Sequence, residues 1–154
     1  GPSVERLNEP VIRVRGPGVV PRLARVETTQ IAPSWNVLEA AFIDVANGSR
    51  GRYSVEGMLG KIFNEDWQLW AVLIGDHLQA LIGTELSVEL TGNRCASIVF
   101  GVGDDPKTWV GIITQLEEWA KTQGCNRMEV WARKGWAKYL DEYKLTHVML
   151  ERAI

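Results

Sequence analysis

The sequence is poor in several residue types, and each scarcity excludes a class of protein. Two cysteines, Cys95 and Cys125, and two histidines, His77 and His147, are scattered through 154 residues. Without a C-x-x-C pair or a Cys/His cluster, neither a disulfide scaffold nor a metal site is expected. The thiols read as reduced and buried, which fits a cytoplasmic protein. No apolar run approaches the roughly eighteen residues of a membrane span, and no signal peptide opens the chain. An excess of one charge is also missing. The 17 Lys and Arg nearly balance 19 Asp and Glu, for a net charge of −2. Neither nucleic acid nor an anionic membrane is therefore expected as a partner. There is no internal repeat and no low-complexity stretch.

What is present suits one globular domain: 45% apolar and 23% charged residues over a length that can bury a sizeable core. Seven tryptophans are the compositional oddity. Residues 1–21 combine a Gly-Pro-Ser opening typical of a cleaved tag with Pro10, Gly16, Pro17, Gly18 and Pro21. That density of breakers predicts an arm carrying Arg13 and Arg15, with a single domain over 22–154.

The domain is organised around residues 104–124. Asp105 stands where an N-cap belongs, and Pro106 occupies the first helical position. Trp109, Ile112, Ile113, Leu116, Trp119 and Ala120 then form one apolar stripe, and Gly124 supplies the stop. Strand-like runs at 96–102 and 127–133 flank this helix, giving a βαβ unit with parallel neighbours. Upstream lie a short strand at 23–28, a helix from Ser34 to Ala46, and a second helix capped by Ser54. Period-2 strands come next at 67–74 and 77–90, joined by a turn at Gly75 and Asp76. Downstream come a short helix at 136–143 and a last strand at 146–151. The reading is α/β (α+β): a three-layer fold with a mixed, mostly antiparallel sheet, a central parallel βαβ unit and helices on both faces.

This element order resembles the GNAT (Gcn5-related N-acetyltransferase) superfamily. Trp119-Ala120-Lys121-Thr122-Gln123-Gly124 is similar to the family's A-x-x-x-G helix end, and Met128-Glu129-Val130-Trp131 to the next strand. Residues 137–145 match the short helix and its exit, and Val148-Met149-Leu150-Glu151 the final strand. Arg133-Lys134-Gly135-Trp136-Ala137 also resembles small GNAT-like proteins of tailed phages, which would place the chain in a host cytoplasm or a virion. The resemblance implies acetyl-CoA held between the two parallel strands and an acetyl group passed to an amine acceptor. Backbone groups of Phe100, Val102 and Gly103 would meet the pantetheine arm, with Lys107 and Thr108 near the diphosphate. Glu85 is the candidate base, with Glu89 and Glu129 as alternatives. Tyr139 is the candidate acid, one residue from Leu140, which occupies the family's tyrosine position.

The loop departs from the family's Q/R-x-x-G-x-G/A pattern. Asp104 and Asp105 stand where a diphosphate would bind at the helix N-terminus, and Pro106 removes one N–H donor. Two functions therefore stay open: an N-acyltransferase, or an inactive GNAT-like protein that binds a protein partner. In the second, Trp109, Trp119, Trp131 and Trp136 would form the contact surface. Edge pairing through the C-terminal strand would make a homodimer.

Overall fold

Residues 20–132 and 134–154 are described in the computed structural model. Residues 1–19 of the expected arm, and Arg133, lie outside the described residues. The strands are β1 (Arg22–Val26), β2 (Trp67–Ile74), β3 (His77–Val88), β4 (Arg94–Gly103) and β5 (Arg127–Val130). They lie side by side in chain order, antiparallel throughout except for the parallel pair β4 and β5. The α-helices are α1 (Thr28–Ile31), α2 (Trp35–Gly48), α3 (Val55–Phe63) and α4 (Ile113–Thr122).

Both faces of the sheet are covered, so β2 is buried at every residue from Trp67 to Leu73 rather than at alternate ones. Trp67, Leu69, Ala71 and Leu73 face α2 and α3, where Leu38, Phe42, Met58 and Ile62 pack on them. Trp70 and Val72 face the other layer, with Ile113 and Leu116 of α4. Each such side chain contributes roughly 1.5–3 kcal/mol on burial. Ser54 caps α3 as expected, its hydroxyl accepting from the Gly57 N–H at 2.9 Å. Gly75 (φ 62°) makes the β2–β3 turn and Gly124 (φ 80°) ends α4. These are left-handed conformations that suit glycine.

Several expected details are corrected. The long helix does not start at Asp105, which sits at φ 39° and makes no capping bond. Residues Pro106–Thr108 and Val110–Ile112 form two 3-10 turns, broken at Trp109 (φ −129°), and the α-helix begins at Ile113. Ser34 precedes α2 without a side-chain capping bond. The α1 turn, closed by a reciprocal Glu27–Gln30 capping box, is not among the elements expected from sequence. The short helix at 136–143 is a 3-10 helix over Lys134–Tyr139, and residues 146–151 form no strand. That segment pairs with no strand although the outer edge of β5 is open, and side chains hold it instead.

The single alternation expected along β3 fails because of a register shift. Between Val72 and Leu73 the pairing moves from Ala80 to Leu78, leaving Gln79 as the extra residue. Leu78 therefore joins the α2/α3 side, while Ala80 and Ile82 face α4. A bulge adds one residue to a strand and re-aims the side chains beyond it.

Inside the sheet, the Thr84 hydroxyl receives the Trp70 Nε1–H at 2.9 Å and lies 2.8 Å from Gln68 Oε1, to which it donates. All three residues are buried. Thr84→Val keeps the shape but leaves an indole N–H and an amide oxygen unpaired. The expected cost is about 1–3 kcal/mol in urea unfolding; a loss of a few tenths would show that the network does not act as a unit.

Candidate functional site

The parallel pair β4–β5 is short. Cys95 to Ile98 pair with Arg127 to Val130, and the Trp131 N–H donates to the Ile98 carbonyl at 3.0 Å. Beyond that bond β5 has ended, while β4 runs on to Gly103 beside β3 alone. The two parallel strands thus part in a wedge whose β4 side is an open backbone edge.

A bulge decides which groups line that edge. Thr84 pairs with Ile98 and Gly83 with Phe100, so Val99 is the extra residue of β4. The side chains of Val99 and Phe100 both fall on the α2/α3 side, whereas Ile98 faces α4. Past the bulge, the Asp104 N–H donates to the Gln79 carbonyl at 3.2 Å, directed at β3. Alternation then turns the groups of Val102 and Phe100 toward β3 as well, and those of Gly101 and Gly103 toward the wedge. Of the candidate cofactor contacts, Gly103 is therefore on the open edge. Phe100 and Val102 are not: the Phe100 ring packs between Phe42 and Trp67, with centroids 6.5 and 5.9 Å away.

The loop at the wide end of the wedge is closed on itself. The Thr108 N–H and hydroxyl both donate to the Asp105 carbonyl, at 2.9 and 2.8 Å. The Trp109 N–H reaches the Pro106 carbonyl at 3.2 Å. The Asp104 carbonyl accepts from Gln79 Nε2 (2.8 Å) and Trp109 Nε1 (3.1 Å). A CoA thioester would thus find its pantetheine arm matched by the Gly101–Gly103 edge. Among the described side chains of this loop, its diphosphate would meet one cation, Lys107, against Asp104 and Asp105. The strand edge fits the cofactor and the loop fits it poorly.

On the α2/α3 side the narrow end of the wedge opens into a cavity of about 620 Å³. Its floor is one row of residues across the sheet: Trp67 on β2 pairs with Glu85 on β3, Glu85 with Ser97 on β4, and Ser97 with Glu129 on β5. Arg52 and Tyr53 from the turn before α3, and Lys61 of α3, also line it, with Trp131 and Met149 among the other walls. Glu85 Oε2 receives the Trp67 Nε1–H at 3.1 Å. Glu129 is ion-paired with Arg127 (2.9 Å), which also holds Glu89 at 2.8 Å. Burial raises the Tyr53 hydroxyl pKa above its ordinary value, and Glu85 adds to this while Arg52 opposes it. The neighbouring Cys95 thiol is raised too, first by burial and then by Glu129.

The structure does not unite the two candidate catalytic residues. Glu85 lines the cavity, but Tyr139 packs edge-on against Trp136 (5.9 Å), which belongs to the α4 side. Leu140 is buried in that same cluster. Tyr143 donates to Glu117 Oε2 at 2.5 Å, and burial together with this bond keeps its hydroxyl protonated well above the ordinary range. Ser97 is not singled out by sequence. Only the strand register, which the sequence leaves free, puts Ser97 between two carboxylates. Among the described residues no group of His, Cys, Asp and Glu could hold a metal ion, and no helix is long and apolar enough to cross a membrane.

Of the four tryptophans offered as a contact surface, Trp109 is a core residue, and Trp119 and Trp136 are partly buried against the same cluster. Trp109 is 2% exposed and packs on Trp136 at 5.4 Å, and Trp119 stacks edge-on against Trp70 at 4.9 Å. Trp131 is 61% exposed, at the cavity.

Neither a protein-family model nor a curated protein sequence matches the chain. Solved structures do. An aminoglycoside acetyltransferase from an uncultured soil metagenomic sample superposes with a TM-score of 0.64 at 13% identity, covering 87% of this chain and 96% of its own. A ribosomal-protein-alanine N-acetyltransferase from Brucella melitensis biovar Abortus gives 0.63 at 10% identity, over 88% and 98%. A Trypanosoma brucei acetyltransferase gives 0.59 at 11% identity, over 87% and 99%. With its splayed parallel pair, bulged β4 and helices on both faces, the chain has the fold of the GNAT acetyltransferases.

Proposed function

We propose that the protein is an N-acyltransferase that passes an acetyl group from a CoA thioester to an amine held in the 620 Å³ cavity. The observation that supports this best is the wedge itself. An unpaired glycine edge on β4 leads to a cavity that has carboxylates on its floor. When bound, the thioester supplies the activated acyl carbon; the chain's own residues orient and deprotonate the amine. Trp67 fixes one oxygen of Glu85, which leaves the other to take the amine proton, while Glu129 is engaged by Arg127. Leu140, buried on the α4 side, cannot donate a proton, so the chain would offer none to a leaving thiolate from that position. A protein-binding role has less support, since Trp131 is the exposed member of the tryptophan set.

The test is titration calorimetry with acetyl-CoA and desulfo-CoA, and then thiol release in the presence of amines. Micromolar binding is expected for acetyl-CoA. Glu85→Gln should lower kcat by about 10²–10⁴-fold, as expected for loss of a general base, with thioester binding unchanged. Absence of heat at millimolar ligand would reject the reading.

A further inference from the structure

We propose that the amine taken by this cavity also carries a carboxylate, and that Glu151 of the chain itself occupies that carboxylate's place. The inference rests on reading the cavity as the acceptor site. Arg50 (φ 58°) and Gly51 (φ 80°) are successive left-handed residues. They fold the turn so sharply that the arginines on either side of Gly51 converge on one carboxylate. Arg50 Nε donates to Glu151 Oε1 at 2.6 Å, and an Arg52 guanidinium nitrogen to Oε2 at 3.1 Å. Between them the two guanidiniums hold the Glu151 carboxyl below the usual carboxylate range. Arg52 and Met149 line the cavity, and they touch each other through the Met149 sulfur. The clamped carboxylate therefore sits at the rim.

The sheet floor has the opposite polarity, while Lys61 of α3 adds a second cation besides Arg52 to the walls. Glu85 and Glu129 flank Ser97 from the strands on either side, roughly 10 Å apart across the sheet. A ligand with an ammonium group at one end and a carboxylate at the other matches this arrangement. Paired guanidiniums favour a carboxylate because they offer parallel N–H donors.

Glu151 is held in a way that allows exchange. Residues 146–151 make no strand pairing, and the side chains of Arg50, Arg52 and Glu151 are 73%, 45% and 45% exposed. Ion pairs this exposed hold weakly. An incoming carboxylate can take the arginines and release the segment.

The experiment uses the protein without thioester. Glycine, γ-aminobutyrate and glycylglycine are titrated by NMR, each beside its own carboxamide, into wild type and Glu151→Gln. At least one acid should bind about tenfold more tightly than its amide, the scale of a bidentate charge-assisted contact. Glu151→Gln should tighten that acid further, because the internal competitor is gone, and leave the amide unchanged. Arg52→Ala should remove the difference between acid and amide. Equal binding of acids and amides, no binding by any acid, or no response to Glu151→Gln overturns the inference. Its failure is separable from that of the proposed function. Selective binding of an acid with no thioester consumed sinks the acyltransferase reading alone; turnover only of amines without a carboxylate sinks this inference alone.

Discussion

Gly103→Ala is expected to destabilise the protein by the upper end of about 1–3 kcal/mol, the cost of overpacking a filled site. A β-carbon at Gly103 would stand 2.5 Å from the Gln79 carbonyl oxygen and 2.6 and 2.8 Å from Cβ and Cα of Ala80. Those atoms belong to β3, which is paired on both sides, so no side chain can rotate away to make room. Gly101 is the matched control. A β-carbon there meets only the outer edge of the Trp109 ring, at 3.8 Å, which is ordinary contact. Gly101→Ala should therefore change stability by only a few tenths of a kcal/mol, although both glycines lie on the same open edge. Urea unfolding of the pair decides the matter, and equal losses would contradict the assigned strand register. The contrast also bears on function. Replacing Gly103 with aspartate, an obvious way to repel an anionic ligand, would report on folding, whereas Gly101→Ala probes the wedge in an intact domain.

Much of this architecture is legible without coordinates because hydrophobic period and breakers speak for it. The change from a 3.6 to a 2.0 period near Trp67, the Gly75-Asp76 turn and the Gly124 stop place α2, α3, β2, β3 and the end of α4. The site is harder to read, since it depends on two single-residue bulges. A bulge reverses every backbone group and side chain beyond it, yet Gln79 and Val99 carry no chemical mark of being the extra residue. Phe100 and Val102 are the natural candidates for the strand edge on a regular strand; with Val99 extra, Gly101 and Gly103 take that place. The acidic row is half visible for a related reason. Glu85 and Glu129 stand out as candidate bases, but only register makes them neighbours of Ser97. Residues 146–151 show the converse error: their strand-like pattern predicts a strand, yet they pair with none although the outer edge of β5 is open.

Trp109→Ala is expected to cost about 3–5 kcal/mol, the range for removing a large buried aromatic. The indole is 2% exposed, packs on Trp136 with centroids 5.4 Å apart, and donates through Nε1 to the Asp104 carbonyl. It therefore joins three pieces that no regular ladder connects: the loop after β4, the start of the α4 region and the 3-10 helix Lys134–Tyr139. Between Asp105 and Ile112 the backbone is held by 3-10 turns, whose bonds are poorer than those of an α-helix. Side-chain packing must then supply the order of this loop. Trp109→Phe keeps a ring in place and gives up the hydrogen bond, so a smaller loss is expected, including about 0.5–1.5 kcal/mol for that bond. Hydrogen exchange should localise the difference, with protection lost over 104–112 and 134–140 before it is lost in β2 and β3. A loss below about 1 kcal/mol for Trp109→Ala would mean that the loop is ordered by its own turns. If protection falls evenly over the whole sheet, Trp109 acts as a general core residue. The graded result expected here instead makes Trp109 the residue through which the fold shapes the wide end of the wedge.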